Sequence, residues 1–276
     1  MMDNLDYLMG RVKPVQSGSS VLKSTSKYLN HAGLRDWVAT HFLRKNGPDR
    51  GSESDTAAGL ITAMAELTDS AHVEQLIEAE RATNPAFRAW VDEAYIGPHS
   101  VAFFADCRPG TVGGIYHDCL VNHGFQVNLG RASLEPGSPY EFIRFRMGQI
   151  HDFEHIITGG GFNTLGELLP YFVRLANVHR HLSPELAGEL TKFYVLGGYR
   201  FPVRAGLHYP QIYLTVLDIV QRGIRIGMDS APIFMARFED VLNLTPVEAR
   251  EALGVRHAED LDTVEASRIF DDRGDA

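Results

Sequence analysis

Apolar residues recur at spacings of three and four along most of the chain beyond about position 55. The run Leu60, Ile61, Met64 and Leu67 is the first example. This spacing places the apolar side chains on one face of an α-helix. Four later segments bounded by Pro or Gly repeat it: YFVRLANVHRHL, PELAGELTKFYVLGGY, PQIYLTVLDIVQRGI and APIFMARFEDVLNL. The pattern predicts an all-α fold with one helical domain of about eight helices.

Strand signals are scarce. The segment VAFFADC, residues 101–107, has the composition of a short β-strand. It has no neighbour with clear apolar and polar alternation, so it leaves the all-α prediction unchanged.

The distribution of charge divides the chain into three parts. Residues 1–50 carry eight basic and four acidic side chains, and the polar run NGPDRGSESD at 46–55 is typical of a linker. Residues 258–276 carry seven acidic side chains and two arginines. We therefore predict an N-terminal basic arm and linker over 1–55, a helical metal- and lipid-binding domain over 56–257, and a frayed acidic tail over 258–276.

The basic arm contains an amphipathic stretch. Five of its side chains fall on one face of a possible helix, followed by Arg44 and Lys45; they are Leu34, Trp37, Val38, His41 and Phe42. This pattern is typical of an interfacial helix on anionic lipid. Docking of the same face onto the protein's own body explains it equally well.

The composition excludes several classes of protein. The net charge of −9 argues against a nucleic-acid partner, because neutralising phosphates requires clustered Lys and Arg. Two cysteines, Cys107 and Cys119, are too few for a disulfide framework. The sequence has no signal-peptide or transit-peptide pattern and no run of about 20 apolar residues. We expect a cytoplasmic protein that is soluble or held at a membrane surface.

The segment IHDFEHIITGGGFNTLGELL carries the candidate chemistry. His151 and His155 lie about 40° apart on a helix, so both imidazoles can face one ion. The glycine run at 159–161 can end this helix and let the chain bring Glu167 back towards the histidines. Two histidines with carboxylates suit Zn²⁺ or another divalent first-row ion.

Helical geometry alone leaves two points of this site open. Asp152 and Glu154 flank the histidines symmetrically, so the spacing does not decide which carboxylate joins the site. Glu167 could instead close a capping box on Thr164. Pro170 weakens this alternative, because it would fall inside the helix that such a cap begins.

Other signatures fit less well. A zinc peptidase has Glu directly after the first His, where this chain has Asp152. A His-Asp phosphohydrolase would draw its remaining ligands from distant helices. Cys107 and Cys119 could join His117 and His123 in a second metal cluster, but a free cysteine is more often a small core residue.

The spacing H-D-x-x-H-x₁₁-E, read as His151, Asp152, His155 and Glu167, resembles the signature of the ubiquinone (coenzyme Q) biosynthesis protein 4 family. The similarity spans roughly residues 57–256. It includes Arg146 before the first histidine, the run N-x-L-G-E ending at Glu167, and the later segments VQRG, FED and PVEAREALGV. Two departures indicate a divergent member of that family. The chain has Glu154 where the family has an apolar residue, and it has LLPYFVR where the family has a Lys-aromatic segment.

The resemblance implies an all-helical fold that binds a divalent metal, usually taken as zinc, beside an apolar groove for a polyprenyl chain. It implies His151, Asp152, His155 and Glu167 as metal ligands and as the catalytic set. Arg146 becomes a candidate for contacting an anionic head group. The apolar helices expected over 187–222 and 224–242 could line the groove, although such stripes are more often ordinary core.

Two functions follow from the resemblance. One is oxidative decarboxylation at ring carbon 1 of a polyprenylated aromatic lipid, a lyase-type activity. The other is a non-catalytic lipid-binding scaffold that organises other ubiquinone-biosynthesis proteins. Family members associate peripherally with membranes, so we expect contact with the inner-membrane surface. Pairing as a homodimer stays open.

Overall fold

The helices of this protein are short and numerous. The computed structural model describes residues 25–47, 53–127 and 135–272, and its regular elements in these ranges are all helical. The α-helices are α1 (Lys27–Asn30), α2 (Ala32–Val38), α3 (Glu53–Leu67), α4 (Ser70–Thr83), α5 (Pro85–Glu93), α6 (Val101–Phe104), α7 (Val112–Asn122), α8 (Pro139–Gln149), α9 (His151–Thr158), α10 (Leu168–His181), α11 (Pro184–His208), α12 (Tyr213–Asp229), α13 (Pro246–Ala252) and α14 (Val264–Asp271). A π-helical turn, Ala39–Leu43, extends α2, and 3₁₀ turns occupy Pro210–Ile212, Ile233–Met235 and Phe238–Val241.

The all-α prediction is confirmed, but the predicted number of about eight helices is too low. The described residues contain fourteen α-helices, several of which have only one or two turns. Such helices are too short to show an apolar repeat of their own. The segment considered as a strand forms α6 instead, because the Ser100 side chain accepts a hydrogen bond from the backbone N–H of Phe103 and caps a helical turn.

The centre of the molecule is built on the close crossing of α10 and α12. A Cβ atom at Gly227 would lie 2.4 Å from the carbonyl oxygen of Val173. The absence of a side chain at Gly227 therefore lets the two backbones touch. Around this crossing, fully buried aromatic side chains fill the main core, among them Phe153, Phe172 and Phe201.

The C-terminal acidic segment packs against the body as far as residue 272, where the prediction of a frayed tail is wrong. Phe270 of α14 is fully buried and stacks on Phe201 at 5.6 Å between ring centroids. The backbone N–H of Leu261 donates to the carbonyl of Gly159 at 2.9 Å. Apolar side chains at helical spacing thus anchor this segment on the body, although its acidic net charge predicts exposure to solvent.

The arm docks its apolar face on the body. Leu34 and Trp37 are buried in a cluster with Leu60 and Met64 of α3, and the indole Nε1–H of Trp37 donates to the carbonyl of Thr56 at 2.9 Å. This arrangement favours docking over an interfacial helix for that face. Residues 1–24 of the predicted arm lie outside the described residues.

None of the helices in the described ranges has both the length and the apolar composition needed to cross a bilayer.

Candidate metal centre

Three of the four predicted metal ligands come together at one point. His151 and His155 lie one turn apart on α9, and Glu167 directly precedes α10. The Glu167 carboxylate places Oε2 3.2 Å from Nε2 of His151 and Oε1 3.4 Å from Nε2 of His155. Ligand atoms of the three residues lie within 4.8 Å of one another, and in the described part of the chain no other group of His, Cys, Asp or Glu meets this criterion.

The return of the chain from α9 to Glu167 is held by the C-terminal segment. Gly159 ends α9 with φ +85°, a backbone conformation that glycine adopts without strain. In the following loop, the Asn163 side-chain oxygen accepts hydrogen bonds from the backbone N–H of Gly166 at 3.0 Å and from the hydroxyl groups of Thr263 and Ser267. The segment before α14 and α14 itself therefore fix the position of Glu167.

The surroundings of the histidines orient both rings. Nδ1 of His155 lies 3.2 Å from the carbonyl oxygens of Gly160 and Gly161, which assigns its N–H to that nitrogen. Nδ1 of His151 lies 3.8 Å from Oε2 of Glu154. With Nδ1 of each ring facing an acceptor, both Nε2 atoms face Glu167. This is the usual arrangement of histidine ligands, whose second nitrogen is held by a neighbouring acceptor.

Within the cluster, His151 and Glu167 each favour the ionised form of the other. Burial by itself lowers the pKa of His151, but the facing carboxylates of Glu154 and Glu167 raise it well above the ordinary value. Burial opposes ionisation of Glu167 too, yet the two imidazoles hold the pKa of its carboxyl group well below the usual range. Two imidazole nitrogens and one carboxylate form a donor set that suits a divalent cation such as Zn²⁺.

Asp152, the fourth predicted ligand, lies outside the group of converging donors. It faces the same cavity, and burial raises the pKa of its carboxyl group, although His151 and His155 oppose the shift. Burial also raises the pKa of the Tyr116 hydroxyl, to which the neighbouring Asp152 contributes. Whether Asp152 joins the ligand set stays a prediction. Glu167 makes no capping box, because both of its carboxylate oxygens face histidines.

Glu154, the carboxylate that spacing could not separate from Asp152, points away from the cavity. Its side chain forms a buried ion pair with Arg174 of α10, whose Nε donates to Oε1 at 2.9 Å. Glu154 therefore lies behind the histidines, on the side away from the cavity.

The prediction that Arg146 contacts a head group is wrong. Its guanidinium is 1% exposed and forms a two-pronged ion pair with Glu239, at 2.7 and 2.6 Å. A third hydrogen bond, at 2.6 Å, reaches Oε1 of Gln149. Because these partners occupy its fork of donors inside the protein, Arg146 is absent from the cavity wall and ties α8 to the segment around 239.

The candidate site opens into a cavity of about 640 Å³. At its buried end lie His151, Asp152, Glu167, Tyr116, Tyr171 and Arg200. Apolar side chains cover its walls, notably Trp37, Leu60, Met64, Phe145 and Phe193. Exposed residues, such as Ile61, Gln126 and Arg144, line its opening. Of the two segments expected to line a groove, 187–222 does so through residues of α11 between Glu189 and Arg200, and no residue of 224–242 lines this cavity.

Sequence reasoning missed Tyr171 and Arg200. Arg200 shares a face of α11 with Leu190, Phe193 and Gly197, all of which line the cavity. An arginine on a largely apolar helical face is the signal that could have identified it. The suggested second cluster is absent from the described residues: Cys107 and Cys119 are free thiols, and burial raises the pKa of both, that of Cys119 to about 11.

The fold resembles that of a solved structure. No protein-family model and no curated protein sequence matches the chain. The crystal structure of a proposed ubiquinone biosynthesis protein from Nostoc punctiforme PCC 73102 aligns with a TM-score of 0.57 and 18% sequence identity. The alignment covers 83% of this chain and 99% of that one. At this identity the similarity establishes a shared fold.

Proposed function

We propose that this protein is a metal-dependent enzyme of ubiquinone biosynthesis that oxidatively decarboxylates a polyprenylated hydroxybenzoate at ring carbon 1. The observation that carries the proposal is that the cluster of His151, His155 and Glu167 borders a cavity with apolar walls, into which His151 and Glu167 open. The proposed role of the structural neighbour in ubiquinone biosynthesis supports the same pathway.

The cavity suits an amphipathic molecule. Its volume of about 640 Å³ falls in the range of small-molecule sites, roughly 300–1,000 Å³. An aromatic head group would lie at the buried end beside the histidines. The first isoprene units would then pass between Trp37, Leu60 and Phe193, and a longer chain would continue through the opening.

In the proposed site, His151, His155 and Glu167 would hold the metal, with Asp152 as a further candidate ligand. A divalent ion there would supply Lewis acidity beside the ring carboxyl group. The protein's own part is to exclude water with its apolar walls and to fix the reacting carbon near the ligands. The reaction replaces the ring C–COOH bond by C–OH and releases carbon dioxide. With dioxygen as the oxidant, two electrons and two protons from a reductant convert the second oxygen atom to water.

The test is a reaction of the purified, metal-loaded protein with a prenylated 4-hydroxybenzoate carrying ¹³C in the carboxyl group, under oxygen and with a reductant. We expect labelled carbon dioxide together with a product that has gained a ring hydroxyl group. Glu167→Gln should abolish both products, and Arg225→Gln, an exposed change on α12, should leave them unchanged. The absence of both products from metal-loaded protein would contradict the proposal.

The same experiment separates the enzyme from the scaffold. A scaffold would bind the lipid and associate with the membrane surface and with other ubiquinone-biosynthesis proteins, but it would form no product. In that case the metal would serve only to tie α9 to the start of α10. Loss of the ligands would then lower the melting temperature and the recovery of partner proteins together.

A further inference from the structure

Helix α11 has an outer face without charged side chains. Between Phe193 and Leu207 its only charged residues are Arg200 and Arg204, which are 2% and 3% exposed. A surface helix normally directs its charged side chains to solvent and its apolar ones to the core. Here four apolar side chains of the same stretch face solvent, with exposed fractions from 36 to 57%; they are Val195, Tyr199, Val203 and Leu207.

Both arginines of this stretch are held on the inner sides of the helix. The Nε of Arg200 donates to the carbonyl of Gly197 at 2.9 Å, and Arg200 lines the cavity. The Nε of Arg204 donates to the carbonyl of Arg44 at 3.1 Å, and its guanidinium also contacts the Asn46 side chain. Because these contacts fix both guanidinium groups inside, neither can extend over the outer face and shield it from water.

The exposed apolar side chains form one continuous ridge. Successive members are four residues apart, so they lie one above the other along the helix. Tyr213, at the start of α12, extends the ridge: it is 36% exposed, and its ring lies 3.3 Å from the position of a Cβ atom at Gly206. We call the four ridge residues of α11 and Tyr213 the outer face. Contiguous exposed apolar side chains mark interaction surfaces, whereas single ones do not.

The distribution of charge favours a protein partner over an anionic membrane surface. A helix that binds such a surface carries Lys or Arg on the flanks of its apolar face. On α11, Arg200 and Arg204 are buried, and the ammonium group of Lys192, just before Val195, is paired with Glu189. A twofold interface brings identical residues of two copies together, so a face without charge avoids repulsion between like charges.

The ridge also has the geometry of a self-complementary contact. Ridges of residues four apart on two helices interdigitate at a crossing angle of about −50°, the commonest packing of helices in globular proteins. With a twofold axis between Tyr199 and Val203, Tyr199 of one protomer packs on Val203 of its partner. Val195 and Leu207 pair in the same way at the two ends of the contact. Each contact then occurs twice, as a twofold interface requires.

We propose that the outer face is the interface of a symmetric homodimer, in which α11 packs against α11 of a second copy. The inner side of the same stretch lines the cavity with Phe193, Gly197 and Arg200. The interface helix of each protomer is therefore also a wall of its own cavity, and the two cavities lie on opposite sides of the helix pair. The inference depends on neither the metal nor the lipid of the proposed function.

The test is the mass of the full chain in solution, measured by sedimentation equilibrium at micromolar concentrations. Wild-type protein should be a particle of two chains. Tyr199→Glu and Val203→Glu each place two carboxylates beside the twofold axis, and each should raise the dissociation constant of the dimer by about 100-fold or more. The matched control Val247→Glu adds the same charge at an exposed valine of α13 and should leave the constant unchanged.

Cross-linking checks the register of the interface. A mixture of Tyr199→Cys and Val203→Cys chains, incubated to exchange subunits and then oxidised, should form more covalent dimer than either variant alone, because only the mixed pair brings the two thiols together. The native thiols of Cys107 and Cys119 are the same in all three samples. Far-ultraviolet circular dichroism confirms that each variant is folded. If one glutamate variant fails to fold, the other and the cross-linking still decide.

The remaining outcomes would overturn the proposal in distinguishable ways. A monomeric wild-type protein would leave the outer face to another occupant, such as residues 1–24 of the same chain. If that monomer binds phosphatidylcholine vesicles and Tyr199→Glu abolishes the binding, the outer face is a membrane contact. A dimer that is unaffected by both glutamate variants would place the interface elsewhere on the surface.

Discussion

Glu154 and Arg174 form a buried ion pair directly behind the candidate metal ligands. Arg174 is 1% exposed, and it also donates a hydrogen bond to the carbonyl of Met147 at 2.6 Å. Its guanidinium further contacts the Tyr194 hydroxyl. The pair therefore joins α8, α9, α10 and α11 at one point, and Oε2 of Glu154 faces Nδ1 of His151. The position of a candidate ligand thus depends on an interaction between two charged groups inside the core.

Removal of Arg174 should destabilise the protein strongly. Arg174→Leu leaves the Glu154 carboxylate buried without its counter-charge, and such changes cost about 3–5 kcal/mol. The free energy of unfolding, from urea titrations at pH 7, checks this. Arg268→Leu, which removes an exposed pair with Glu265, should have a much smaller effect. The double variant Glu154→Leu/Arg174→Leu should be more stable than Arg174→Leu, because it leaves no unpaired buried charge. A double variant that is less stable than Arg174→Leu would show that the ion pair itself contributes little.

Metal content should depend on the histidines and on Glu167. His155→Ala should lower the metal-to-protein ratio, measured by elemental analysis after purification, from near one to near zero, because it removes one of three converging donors. His151→Ala should do the same. Glu154→Gln should retain the metal, since its carboxylate faces Arg174. Metal content that is unaffected by both histidine changes would show that the cluster is an ion pair and not a metal site.

The Glu239 carboxylate should make stability dependent on acidic pH. Burial opposes its ionisation, but hydrogen bonds from His99 and Arg146 lower its pKa from 4.5 to about 2. Because this pKa is lower in the folded state than in the unfolded state, the ionised carboxylate stabilises the fold. The stabilisation is complete above pH 4.5 and is lost as the pH falls towards 2. Between these limits, wild-type protein should lose on the order of 3 kcal/mol more unfolding free energy than Glu239→Gln. Parallel pH profiles of the two proteins in urea titrations would contradict this.

Two glycines should respond in opposite ways to the same substitution. Gly227→Ala places a methyl group 2.4 Å from the Val173 carbonyl, so α10 and α12 must separate at a cost of about 1–3 kcal/mol. At Gly188 on α11, a Cβ atom meets nothing within 4 Å, and alanine there should stabilise the helix by about 0.5–1 kcal/mol. Melting temperatures of both variants check this. A similar change at both positions would show that helix propensity dominates over the close approach.

The local sequence was sufficient to predict the helices and the spacing of the metal ligands. Repeats of three and four residues specify which residues share a helical face, and this is a property of nearest neighbours along the chain. The same local rule placed His151 and His155 on one side of α9. The glycine run was enough to predict that the chain could return to bring Glu167 near them, and the structure has this return.

Only the tertiary structure decided which charged side chains face the cavity. Arg146, Arg174 and Arg200 all lie in apolar surroundings, yet only Arg200 lines the cavity. Arg146 and Arg174 are held away from the cavity because Glu239, 93 residues away from Arg146, and Glu154, 20 residues away from Arg174, supply buried carboxylates. The cost of burying an ion is offset by partners that folding brings from elsewhere in the chain. These partners cannot be predicted from local spacing, because they lie far away along the chain. The local sequence therefore determined the candidate ligands on α9, and long-range packing determined that Arg200 lies beside them.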